Sequence, residues 1–192
     1  MRRRSMLVAA VTALLALPGA ASAATCNLVT DKANDAYVGH PAAGVSSKPL
    51  DIRSLDVATG KKTLVVVLRV ATTKSADDPA TAAGMAWDVS FKIAGADYRF
   101  SRRVGPGGNV VSEGGNGNGS AVSGVKVAVS GTSITWTVPR SAIPKLKKRG
   151  AVFTHFFGGT TTTGLGYDQA PNGGVVSPAR YVDGTKSCVK AA

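Results

Sequence analysis

Groups able to do covalent or acid–base chemistry are scarce in this sequence. Glu113 is its only glutamate, His40 and His155 are its only imidazoles, and Cys26 and Cys188 are its only thiols. Catalysis needs a nucleophile held against a base, a pair of carboxylates or a metal cage. No serine stands in a nucleophile elbow, and Glu113 lies in a glycine-rich stretch too loose to hold a glycosidase acid. Sustained helical periodicity is missing, and no run reaches the ~20 apolar residues that span a bilayer. Aromatic residues make up 6% of the chain and do not interleave with cations on any basic helix, so nucleic acid is not an expected partner.

What is present begins with three arginines after Met1, an apolar run over residues 6–17, and the small-residue exit Pro18-Gly-Ala-Ala-Ser-Ala23. This layout is that of a secretory signal peptide over residues 1–23, with Ala21-Ser22-Ala23 as cleavage motif. The product is expected to be secreted. Residues 24–192 follow as a single domain of 192 − 23 = 169 residues, enough to bury a core. Its cations number 23 − 3 = 20 against 11 acids, a charge of +9. A basic exported chain will meet anionic envelope polymers or acidic glycans, attracted loosely and in a salt-sensitive way. Cys26 lacks the lipobox of an acylated cysteine. An even cysteine count in an exported protein reads as one bridge, so Cys26 and Cys188 are expected to join the two ends.

The pattern between them is of strands. Leu64, Val66, Leu68 and Val70 alternate with Val65, Val67 and Arg69, as in a central strand buried on both faces, and residues 50–57 precede it across a turn. The first arm changes phase between Ile52 and Leu55, which predicts a bulge near Arg53 or Ser54. A second hairpin spans residues 85–104, with Trp87, Val89, Phe91 and Ile93 inward and Asp88, Ser90 and Lys92 outward. A third spans residues 124–138, with Ile134, Trp136 and Val138 inward. Residues 151–163 read as a further strand, with Phe153, His155 and Phe157 on one side and Val152, Thr154 and Phe156 on the other. Residues 174–182 read as a last edge strand. The glycine-rich residues 105–120 and residues 164–172 read as connections, and residues 24–49 as a short edge strand with a long loop. The class is all-β: a two-layer antiparallel sandwich, with a closed barrel as the runner-up.

Two clusters could bind ions. Asp31, Asn34 and Asp35 offer oxygen ligands of the kind calcium takes, without EF-hand spacing; the same residues suit a turn that caps its own backbone. Lys145, Lys147, Lys148 and Arg149 form a basic run that is either a solvated loop or an anion-docking patch. Calcium is the one cofactor the residues themselves suggest.

Asp31-Lys-Ala-Asn-Asp35, Leu50-Asp-Ile52, the Trp87/Phe91 strand with Asp97-Tyr98, and Val138-Pro-Arg-Ser141 together resemble the exported β-sandwich superfamily of DOMON domains and family-nine carbohydrate-binding modules. The chain is also similar to uncharacterised secreted proteins of high-GC Gram-positive bacteria that end in Tyr-Val-x-Gly-Thr-x-Ser-Cys, here Tyr181 to Cys188. The resemblance implies an immunoglobulin/DOMON-like sandwich whose relatives bind sugars or haem. Haem-binding members use a Met and a His as axial ligands, for which this chain offers Met85 and His155. The expected function is therefore that of a secreted, non-catalytic, monomeric module binding extracellular or cell-envelope carbohydrate. A secreted hydrolase with a site not evident in the sequence, and a haem-binding redox module, are the alternatives.

Overall fold

The structure is a computed structural model that describes residues 26–38, 45–74, 84–162 and 166–191, the last segment from residue 168 for side chains. The expected signal peptide, residues 1–23, and His40 lie outside these residues. The strands are β1 (Val29–Thr30), β2 (Tyr37–Val38), β3 (Val45–Ser46), β4 (Ile52–Thr59), β5 (Thr63–Val70), β6 (Met85–Ile93), β7 (Ala96–Val104), β8 (Val110–Asn116), β9 (Lys126–Ser130), β10 (Ser133–Pro139), β11 (Val152–Thr162), β12 (Gly166–Ala170) and β13 (Tyr181–Val182). They make two antiparallel sheets, β1-β4-β5-β10-β9 and β3-β2-β12-β11-β6-β7-β8, with β13 added beside β11. Among the described residues no helix is long and apolar enough to cross a membrane.

The three hairpins form as their alternation dictates, and β5 is central in its sheet. The register of β4 on β5 slips between Ile52 and Ser54, the predicted bulge, which brings Leu55 and Val57 back into the core phase. Leu64, Val66 and Leu68 of β5 and Trp87, Val89 and Phe91 of β6 belong to one contiguous apolar core. Both indoles are buried with their N–H satisfied: Trp87 donates to the Pro49 carbonyl at 2.9 Å and Trp136 to the Ser101 carbonyl at 3.2 Å. A buried indole without such an acceptor would lose part of what its apolar burial contributes.

Cys26 and Cys188 are bonded, their Cα atoms 5.2 Å apart, so the ends of the described chain are clasped. They meet beside the outer edge of β4. There β1 pairs with Ser54 and Leu55, the Thr59 N–H donates to the Tyr181 hydroxyl at 3.0 Å, and the Ser187 hydroxyl donates to the Val57 carbonyl at 2.7 Å. The edge is thereby covered rather than left open to another chain.

Five segments depart from the sequence pattern, the first being residues 24–49, whose described part carries three short strands, β1, β2 and β3, where one edge strand is expected. Residues 110–116 are a strand, β8, on the edge of β7, because glycine there lets the backbone lie against an aromatic ring: a Cβ on Gly114 would stand 2.8 Å from the Phe100 ring. Residues 166–170 are likewise a strand, β12. Within β11 the register shifts between Thr154 and Phe157, and His155 takes the left-handed region at φ 58. That bulge turns Phe153 and Phe156 both into the core and leaves His155 exposed, against the simple alternation. The final edge strand is shorter than expected, limited to Tyr181–Val182 with one isolated bridge from Ser177 to Phe156.

Candidate functional site

The outward side of the larger sheet carries a polar groove with an aromatic floor. Along β6, Asp88 and Ser90 point away from the core; β7 opposes Ser101 to Asp88 and Arg99 to Ser90. From β11 come Phe157 and Thr161, and from β12 Gln169. These six side chains, Ser101 excepted, line a cleft of about 420 Å³. Phe157 is half-buried, and its ring leans over Gly159, where a Cβ would approach it to 3.2 Å. The missing side chain is what lets the ring lie along the sheet. Arg99, 61% exposed, pairs with Asp88 at 2.9 Å and is held there as a flat, multi-donor group. A second hollow of about 320 Å³ continues the groove toward Met85 and Arg103 and shares Asp88, Arg99 and Thr161 with the first.

At the end of the sandwich, between the sheets, lies an acidic cluster. After β1 the chain turns through Asn34, at φ 65, a conformation asparagine tolerates. The turn returns Asp35 beside Asp31, and β12 brings in Asp168; one carboxylate oxygen from each lies within 4.8 Å of the others. Asp168, 4% exposed, accepts the Ile52 N–H at 2.7 Å and the Gln169 N–H at 2.8 Å. Asp35 accepts the Asn172 amide at 2.9 Å through Oδ2. Asp31 Oδ2 and Asp35 Oδ1 are shut off from solvent without a hydrogen-bond partner. So is Oδ1 of neighbouring Asp51, a side chain 2% exposed, whose other oxygen accepts the Asn34 N–H at 3.0 Å and Arg53 at 2.6 Å. Among the described residues no cation pairs with Asp31, Asp35 or Asp168.

The titration of the cluster follows from this placement. Burial, and then the charge of Asp168, push Asp31 up to about 7, with Asp35 adding to the effect. Burial pushes Asp168 up to about 6; the Ile52 and Gln169 N–H groups oppose it, and the charges of Asp35 and Asp51 reinforce it. Asp51 is raised as well, chiefly by burial, with Asn34 N–H and Arg53 opposing.

Of the residues singled out in the sequence, Asp31 and Asp35 are therefore together, and Asn34 is not with them by its side chain: its Oδ1 faces Arg53 at 3.4 Å. Asp168 takes the third place. It is 116 residues from the Ile52 N–H that orients it, on a strand without a hydrophobic pattern, so no local signal marked it. Met85 and His155 do not converge. Met85 is buried opposite Thr162, while His155 is exposed in the bulge beyond Thr154, which pairs with Lys92. Roughly 20 Å of ladder separates them at a strand's rise, so they cannot be axial ligands of one haem. Lys145, Lys147 and Lys148 are exposed around buried Leu146, and Arg149 reaches Asp183 at 3.4 Å, a carboxylate already paired with Arg140 at 2.5 Å. That run is an anchored loop, with its lysines in solvent. His155 Nδ1 meets only the adjacent Thr154 hydroxyl, at 2.9 Å, and Glu113 is exposed on β8.

Compared with known proteins, the chain matches no family model and no curated relative.

Proposed function

We propose that the protein is an exported, non-catalytic β-sandwich module that binds an extracellular or cell-envelope polysaccharide along the outer groove of its larger sheet. The observation that supports this reading is the juxtaposition of Phe157, lying along the sheet over Gly159, with the paired Asp88 and Arg99. A sugar ring presents an apolar C–H face and a rim of hydroxyls. An aromatic floor suits the first, and carboxylate, guanidinium, amide and hydroxyl groups suit the second. The groups stand on paired strands, which hold them more rigidly than loops would. The elongated course of the groove suits a chain of sugars rather than a single one.

A hydrolase reading has one observation in its favour, the approach of Asp31 and Asp168, since neighbouring carboxyls with raised pKa values can share acid and base roles. Access argues against it. Asp168 borders the groove but is 4% exposed, and both its oxygens accept backbone N–H bonds, from Ile52 and Gln169, which leaves it poorly placed to act on a scissile bond.

Retention on insoluble cellulose, chitin, xylan and cell-wall polymer at about 0.15 M salt tests the proposal, because that ionic strength suppresses loose attraction between exposed charges. The protein is expected to be retained on at least one. Phe157→Ala combined with Arg99→Ala should weaken retention about tenfold or more, the loss expected when one aromatic contact and one charged contact go. No retention on any polymer, or equal retention of the folded double variant, would overturn it.

A further inference from the structure

We infer that Asp31, Asp35 and Asp168 hold a calcium ion that ties the N-terminal turn to both sheets. Three carboxylates from two distant segments converge here, and the chain supplies no neutralising cation among the described residues. Proximity alone would make this an ordinary acidic patch. What distinguishes it is that the inward oxygens are sealed and unpartnered: Oδ2 of Asp31, Oδ1 of Asp35, and behind them Oδ1 of Asp51 on a side chain 98% removed from solvent. Asp51 lies against the same turn, since its Oδ2 accepts the Asn34 N–H at 3.0 Å. A buried carboxylate oxygen left without donor or counter-ion is costly, because nothing replaces the water it has lost. Arg53 compensates Asp51, which leaves the three carboxylates of Asp31, Asp35 and Asp168 to demand protons or a cation.

The donor set selects the ion. All the groups are oxygens, with no imidazole or thiolate, which suits a hard cation rather than zinc or copper. Calcium accepts irregular sets of six to eight oxygens at about 2.4 Å, as loop carboxylates offer, whereas magnesium holds its ligands at about 2.1 Å and demands octahedral order. Asp168 is already fixed by two backbone N–H groups, and the turn through Asn34 fixes Asp31 relative to Asp35, so the site is largely formed by the fold. Its occupant would couple the segment next to Cys26 to β12 of one sheet and, through Asp168 and Ile52, to β4 of the other. The competing occupant is a proton shared between Asp31 and Asp168.

Calorimetric titration with calcium chloride, and melting with calcium against EDTA, distinguish ion from proton at pH about 8, above the value of about 7 for Asp31. Calcium should bind with heat and raise the melting temperature, and magnesium should do so far less. Asp35→Asn keeps the shape and an acceptor for Asn172. It should weaken calcium binding about tenfold or more while leaving the metal-free melting temperature unchanged or higher, because a like charge has gone. No heat and no shift up to ~10 mM calcium, well above the ~1 mM of weak extracellular sites, would overturn the inference. So would an equal response to magnesium, or an undiminished calcium response in Asp35→Asn. These measurements are independent of retention on polysaccharide.

Discussion

Asp31 and Asp168 hold protons in the folded chain that they would release in the unfolded one. Their values of about 7 and about 6 exceed the ordinary 3.8, so between about pH 4 and pH 7 the native state binds more protons than the denatured state. Stability of the metal-free protein must then fall as pH rises through that window, the reverse of the usual carboxylate behaviour. Asp183 behaves in the usual way. Its hydrogen bonds and charge pairing with Arg140 outweigh the burial that opposes them and hold it below 3.8, so its contribution is lost only on acidification below about pH 4. In EDTA the melting temperature should therefore be higher at pH about 5 than at pH about 8, and Asp31→Asn should flatten the difference. Thermal melts across that range check this, and a wild-type stability that rises steadily from pH 5 to 8 would contradict it. At this scale the sequence marked Asp31 and Asp35 because they lie four residues apart in a turn-rich stretch. Asp168 was invisible, since its burial is created by a strand pairing that only the whole fold produces.

Elements were legible where one face is apolar and the other polar. β6 reads directly as Trp87, Val89, Phe91 and Ile93 against Asp88, Ser90 and Lys92, and burial follows that division. β8 has no such code: Val110 and Val111 are both exposed, and the rest is Ser, Glu, Gly and Asn. It is a strand because β7 offers an unpaired edge and because glycine fits over Phe100, so tertiary context and not propensity decides it. Gly114→Ala, whose Cβ would meet the Phe100 ring at 2.8 Å and Val125 at 2.9 Å, should cost about 1–3 kcal/mol by overpacking. Gly115→Ala next to it, with its nearest contact at 3.6 Å, should fall within about 0.5 kcal/mol of wild type. Urea unfolding of both variants decides the matter, and equal effects would show that β8 is not seated on that ring. β11 was legible as a strand and not in its phase, because a bulge at His155 has no signature in side-chain type. One extra residue exchanged Phe157 for Phe156 in the core and thereby delivered Phe157 to the groove.

For the molecule as a whole, two cysteines near the ends and repeated hairpins were enough to anticipate a sandwich with clasped termini. The bridge closes a separation of 162 residues, which in the chain-entropy model restricts the unfolded state by about 5 kcal/mol. The disulfide holds the covered edge of β4, the acidic cluster sits where the two sheets meet, and the groove occupies the outer face of the larger sheet. Under the proposed function, that division assigns recognition to one surface and cohesion to the rest. Amide chemical-shift mapping, with soluble oligosaccharides of the retained polymer added to the labelled protein, tests it most directly. The shifts should concentrate at Asp88, Ser90, Arg99, Phe157, Thr161 and Gln169 and leave β4, β5 and β10 unmoved. Shifts centred on the smaller sheet, or none at saturating oligosaccharide, would contradict the assignment of the groove as the binding surface.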